Sequence, residues 1–223
     1  MPDDFSPTIR DDYDRLAADY TTHVYDELRH KPFDREQLQC LAERLRGKGK
    51  VCDLGCGPGQ VARFLRDHGA DSFGLDLSPG MVREARRLNP DLEFREGNML
   101  ALPIKDASLA GIAAFYAIVN LPKEALPAVF REMARVLQPG GLLLLSFHAG
   151  AQNLSEVELW GHKISMRFRL LPPSEIRREL EAAGLVIEQA LERDPYPEVE
   201  YQSRRCYILA TKPESPDSSQ TRA

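Results

Sequence analysis

The sequence predicts an α/β fold on a mostly parallel sheet. Three observations carry this. Short apolar runs alternate with helix-period segments from residue 36 to 148. A glycine-rich turn at 55–59 separates the first run from a helical pattern. The polar residues that punctuate the chain fall at the carboxyl ends of the predicted strands, where such sheets bind ligands.

The elements follow in order. Residues 1–35 are charged and carry Tyr13, Tyr20 and Tyr25, read as a helical cap with Tyr13 and Tyr20 on one face. Lys50–Leu54 is the first strand, followed by a helix with Val61, Phe64 and Leu65 on one side. Asp71–Leu77 supplies a second strand ending at Asp76. Ser78-Pro79 then starts a helix, serine as N-cap and proline at the first position, and Asn89-Pro90 ends it. Leu92–Glu96 and Leu109–Phe115 are the third and fourth strands. A helix through Leu126, Val129, Phe130, Met133 and Leu137 is broken by Pro139-Gly140-Gly141. Leu142–Phe147 is wholly apolar, a strand covered on both faces. Residues 149–171 read as an insertion with a strand at Lys163–Leu170, and Ser174 as the cap of a helix closed by Gly184. Leu185–Leu191 and Arg204–Ala210 read as a closing antiparallel hairpin. Residues 1–212 are expected to form one domain and 213–223 a disordered tail.

Composition narrows the function classes. The formal charge of −5 disfavours a general nucleic-acid binder. The basic runs Arg83–Arg87 and Arg177–Arg178 read as solvated helix faces. No apolar run reaches the ~18 residues of a membrane span. The acidic, polar start reads as no signal peptide, so cytoplasm is expected. Cys40, Cys52, Cys56 and Cys206 have no zinc spacing, so no metal is expected.

The glycine turn is the most informative stretch. It reads Asp53-Leu54-Gly55-Cys56-Gly57-Pro58-Gly59. A dinucleotide turn needs glycine at position 60, which is Gln60. A carboxylate at Asp53 would repel a pyrophosphate and attract an amine. The loop resembles the first motif of the class I S-adenosylmethionine-dependent methyltransferases, and further motifs follow in order. The resemblance extends to a bacterial small-molecule subgroup through the stretch Arg193–Arg205. It implies a Rossmann-like three-layer sandwich with seven strands, the last antiparallel, and S-adenosylmethionine as cofactor.

The resemblance assigns candidate residues. Asp53, Gly55, Cys56, Gly57 and Gly59 form the cradle, and Asp76, followed by Leu77, accepts the ribose hydroxyls. Asn98 and Met99 meet adenine, with asparagine where the family commonly has an acid. Phe115 and Tyr116 lie against the methionine part; Tyr13 and Tyr20, seven apart on one face of the N-terminal helix, either close over the cofactor carboxylate or pack that helix onto the core. Candidate acceptor contacts are Tyr13, Asn120, Trp160, Tyr196, Glu200 and Arg205. His148 is a candidate base, since an ordinary histidine pKa near 6.5 suits that work. The expected activity is methyl transfer to a small-molecule acceptor by a monomer or homodimer, without nucleic acid or membrane. An NAD-type oxidoreductase and a non-catalytic methyltransferase-like binding protein are the alternatives.

Overall fold

The computed structural model describes residues 5–154 and 158–214. Seven strands form the main sheet: β1 Lys50–Leu54, β2 Asp71–Asp76, β3 Phe94–Glu96, β4 Leu109–Phe115, β5 Leu137–His148, β10 Val186–Arg193 and β11 Arg205–Thr211. Their order is β3-β2-β1-β4-β5-β11-β10. The first five run parallel; β11 pairs antiparallel with both β5 and β10. This is the expected topology, with its one reversed strand.

Period-two alternation builds the three layers. On β5, Leu143, Leu145 and Phe147 face one way, joining Val129, Phe130 and Met133 of α5 (Leu126–Val136) and Ile176 and Leu180 of α6 (Pro173–Ala182). Leu142 and Leu144 face the other way. There they meet Leu38, Leu41 and Leu45 of α2 (Pro32–Leu45) and Val61 and Leu65 of α3 (Gln60–Asp67). Burying each such leucine contributes about 1.5–3 kcal/mol, so β5 anchors both faces. α4 (Pro79–Leu88) packs Val82 and Ala85 with Phe94 near the β3 edge. Ser78 caps α4 as expected, accepting from the Met81 N–H at 3.1 Å.

Several boundaries differ from expectation. β5 starts at Leu137, so Pro139-Gly140-Gly141 lies within the strand. The reason is pairing: Gly140 N–H donates to the Lys212 carbonyl at 2.8 Å, and Lys212 N–H donates back to Gly141 at 2.9 Å. α6 begins at Pro173, so Ser174 sits inside the helix and Pro172 takes the cap position. The expected strand at Lys163–Leu170 reduces to two-residue pieces. β7 (Glu158–Leu159) pairs with β8 (His162–Lys163), and β6 (Asn153–Leu154) pairs with β9 (Phe168–Arg169). Of the expected tail, residues 215–223 lie outside the described residues.

Before the sheet, the chain forms α1 (Ser6–Val24) and a 3-10 turn at Glu27–His30. Three consecutive residues of α1 tie it to three places. Asp12 accepts from Ser165 and Met166 N–H groups, both at 2.7 Å. Tyr13 donates to Asn120 Oδ1 at 2.8 Å. Asp14 accepts from the Ser78 hydroxyl at 2.7 Å and from the Gly80 N–H, at the positive end of α4. Among the described residues, no helix is long and apolar enough to cross a membrane.

Candidate cofactor and acceptor site

The carboxyl ends of β1, β2, β4 and β5 converge on two joined cavities. Gly55 and Cys56 donate N–H bonds to the Leu75 carbonyl at 2.7 and 3.1 Å, zipping the glycine loop to β2. Gly55 has φ +74°, and a Cβ there would lie 2.6 Å from Ala117 Cβ. Only glycine allows that approach of the loop after β4. Gly57 has φ +50°, and a Cβ there meets only the Tyr20 ring at 3.7 Å.

Two carboxylates sit beside the loop. Asp53 is 1% exposed and accepts from Ala62 N–H at 2.9 Å through Oδ2. Burial pushes its pKa up to about 8, helped by Asp76 and opposed by the Ala62 bond. Asp76 accepts from Gly57 N–H at 2.8 Å and Ser78 N–H at 2.9 Å, one on each oxygen. Burial raises its pKa too, against those backbone bonds.

The first cavity, about 90 Å³, is lined by Asp76, Leu77, Asn98 and Met99 below and by Tyr13 and Tyr20 of α1 above. Asn98 is held at both ends of its amide: Oδ1 accepts from Leu100 N–H at 2.9 Å and Nδ2 donates to Ser6 Oγ at 3.2 Å. The second cavity, about 420 Å³, shares Tyr13, Tyr20, Gly55, Gly57, Phe115 and Tyr116 with the first. It also reaches Asp53, Cys56, His148, Trp160, Glu200 and Arg205. Its volume lies in the range of small-molecule sites, roughly 300–1,000 Å³.

The inner wall of the larger cavity is charged. Glu200 is 8% exposed and takes two bonds from Arg193, at 2.7 and 2.9 Å, and one from Tyr196 N–H at 2.8 Å. Burial alone would raise its pKa; Arg193, that N–H and Arg205 hold it down to about 2. Arg193 also reaches Asp34 at 2.9 Å. Tyr116 adopts φ +54°, a conformation that costs a bulky residue about 1–3 kcal/mol. This places its ring 5.2 Å from Lys31 Nζ and 5.7 Å from the Arg205 guanidinium carbon.

His148 contacts Ser203 Oγ through Nδ1 at 2.8 Å. Burial, with Arg205 and Lys31 nearby, lowers its pKa to about 3. The premise that its pKa suits a base is therefore corrected: the ring is neutral at physiological pH and a weak proton acceptor.

Two candidates lie apart from the cavities. Gly59 packs against the Phe94 ring, with φ +89° at the N-cap of α3. Tyr196 stacks on Arg193 at 4.2 Å and accepts from Phe33 N–H at 3.2 Å. Conversely, Glu27, Lys31, Arg169 and Tyr201 line the larger cavity without having been singled out in the sequence. None belongs to a local motif; long-range folding assembles them.

The donor set matches a nucleoside carrying an amino-acid arm. Asp76 keeps acceptor capacity toward hydroxyls. Asp53 lines the larger cavity, and its one side-chain hydrogen bond, from Ala62 N–H, is taken by Oδ2. Gly57 leaves space where a side chain would stand.

Comparison with known proteins agrees with this chemistry. Residues 51–141 match a family model described as a methyltransferase domain. The malonyl-[acyl-carrier protein] O-methyltransferase of Serratia marcescens is 32% identical over 71% of this chain and 65% of its own length. The demethylmenaquinone methyltransferase of Beutenbergia cavernae is 37% identical over 44% of this chain and 40% of its own. The chain thus spans less than two thirds of either relative. A SAM-dependent methyltransferase from Methanosarcina mazei superposes with a TM-score of 0.70 at 16% identity, covering 78% of this chain and 97% of that one. Residues 51–141, with the glycine cradle and its two carboxylates, are thus a methyltransferase domain of the class I S-adenosylmethionine-dependent kind, whose cofactor is S-adenosylmethionine.

Proposed function

We propose that the protein methylates a small-molecule acceptor seated in the 420 Å³ cavity. The observation that carries this is continuity: the loop cradle opens, past Tyr13, Tyr20, Phe115 and Tyr116, into a larger cavity. A ligand on the loop therefore faces a second ligand.

When bound, the cofactor supplies a methyl group already activated by a sulfonium charge. The chain's residues bind, align and exclude water. Asp76 accepts the ribose hydroxyls. Asn98 offers its carbonyl oxygen to the adenine amine, while Met99 packs against the ring. Asp53 faces the cofactor amine, and Tyr20 closes the slot from α1. Phe115, Tyr116 and Asn120 shape the passage to the acceptor. His148, neutral and held by Ser203, gives the acceptor a hydrogen-bonding partner rather than a base. The protein works in the cytoplasm as a monomer or homodimer and needs no nucleic acid or membrane.

The test is a labelled-methyl transfer screen against a metabolite extract. Label in a small-molecule fraction, absent with Gly57→Trp, is the expected result. Binding of S-adenosylmethionine with no transfer to any fraction would instead favour a non-catalytic binding protein.

A further inference from the structure

The larger cavity inverts the usual distribution of side chains. Among the described residues four large hydrophobics are exposed, and three of them, Trp160, Val199 and Tyr201, line this cavity. Two of its cations are buried, Lys31 at 7% exposure and Arg205 at 2%, and a third, Arg169, is half-buried. Exposed apolar residues around buried charges signal a ligand with the matching polarity.

The cations are unequally paired among the described residues. Lys31 pairs with Glu27 at 2.5 Å, and Arg193 occupies Asp34 and both oxygens of Glu200. Arg205 gives Nη1 to Ser203 and Nη2 to the Tyr201 carbonyl. Its Nε is buried without a hydrogen-bond partner, 3.7 Å from the Glu200 carboxylate that Arg193 already fills. Arg169 donates one bond, at 2.9 Å, to the Asn120 carbonyl. Among the described residues no carboxylate lies within ion-pair distance of Arg169; Glu124 acts on it only from further away. Among the described residues Lys31 and Arg193 thus have close carboxylate partners, whereas Arg169 has none and Arg205 reaches Glu200 only at 3.7 Å.

We propose that the acceptor is an amphipathic organic acid bound as its anion, its carboxylate against Arg169 and Arg205 and its apolar body at the mouth by Trp160 and Tyr201. The assignment rests on reading this cavity as the acceptor site. It agrees with the neutral His148: a carboxylic acid with an ordinary pKa near 4 arrives already deprotonated, so no base is needed.

Trp160 is the only tryptophan in the chain, so its fluorescence reports occupancy of the mouth without any turnover. Octanoate, octanamide and octylamine are titrated into the protein, and S-adenosylmethionine is titrated separately by calorimetry. Octanoate is expected to change the emission saturably and to bind about tenfold or more tighter than octanamide, as a charge-assisted bond implies. Arg169→Gln is expected to erase that difference while leaving affinity for S-adenosylmethionine unchanged. Arg205→Gln should act in the same direction; if it fails to fold, Arg169→Gln decides. Equal binding of the amide, or tighter binding of octylamine, overturns the proposal. So does a parallel fall in S-adenosylmethionine affinity in Arg169→Gln, which would give the charge to the cofactor's own carboxylate. Octanoate binding without S-adenosylmethionine binding would leave the acid site standing and overturn the methyltransferase reading instead.

Discussion

The phenol of Tyr13 donates a 2.8 Å hydrogen bond to Asn120 Oδ1 across 107 positions of sequence. It fastens helix α1 to the loop after β4, and both residues line the cofactor slot. Asn120 completes the bridge by donating from Nδ2 to the Arg167 carbonyl at 3.0 Å. One amide therefore joins the cap, the loop and the insertion over the site.

Tyr13→Phe and Asn120→Ala test this bridge as a double-mutant cycle. Each substitution is expected to lower stability by about 1 kcal/mol or more, with a coupling energy of about 1 kcal/mol between them. Urea melts of the four proteins measure it. Strict additivity would show that the bond contributes nothing to holding α1 in place.

Asp76→Ala removes the acceptor proposed for the ribose hydroxyls and the anchor for the Gly57 and Ser78 N–H groups. Charge-assisted bonds contribute about 1.5–3 kcal/mol each. S-adenosylmethionine affinity is expected to fall about tenfold or more by calorimetry. Asp76→Asn should retain part of it, because the amide oxygen still accepts one bond.

The loop glycines should separate by mechanism. Gly55→Ala places a Cβ 2.6 Å from Ala117 and is expected to destabilise the fold in thermal melts. Gly57→Ala meets only a 3.7 Å contact and should be milder, whereas Gly57→Trp fills the cradle and abolishes cofactor binding. Equal stability losses at the two alanine positions would contradict the steric argument.

Asp53 gives a pH dependence of definite sign. Its folded pKa of about 8 lies above the ordinary 3.8. Between those values the folded cofactor-free protein holds a proton that the unfolded chain has lost. Stability therefore falls as pH rises through that window, and the loss is complete above about pH 8. Asp53→Asn removes this penalty, so its melting temperature relative to wild type should rise from pH 5 to pH 9. An amine brought beside Asp53 favours its ionised form. Binding of S-adenosylmethionine at pH 7 should then release a proton from wild type but not from Asp53→Asn, read by calorimetry in buffers of different ionisation enthalpy.

Local patterns made the main sheet legible. The Asp53–Gly59 loop, the Ser78-Pro79 cap and the apolar Leu142–Leu145 run each specify their structure within a few residues. Errors came where long-range pairing overrode local signals, as at Pro139-Gly140-Gly141, which Lys212 holds within the sheet. The acceptor wall was less legible for the same reason. Lys31, Arg169 and Arg205 meet at one cavity only because the start of α2, the insertion and β11 come together around it, and no sequence spacing encodes that encounter. His148 was found at its strand end, but its lowered pKa depends on Arg205 and Lys31, which arrive from distant segments.

Calorimetric titration of S-adenosylmethionine and NADH into the wild-type protein tests the central claim most directly. Saturable binding of S-adenosylmethionine, lost in Gly57→Trp, with no binding of NADH, is the predicted result. Binding of NADH without S-adenosylmethionine would contradict it.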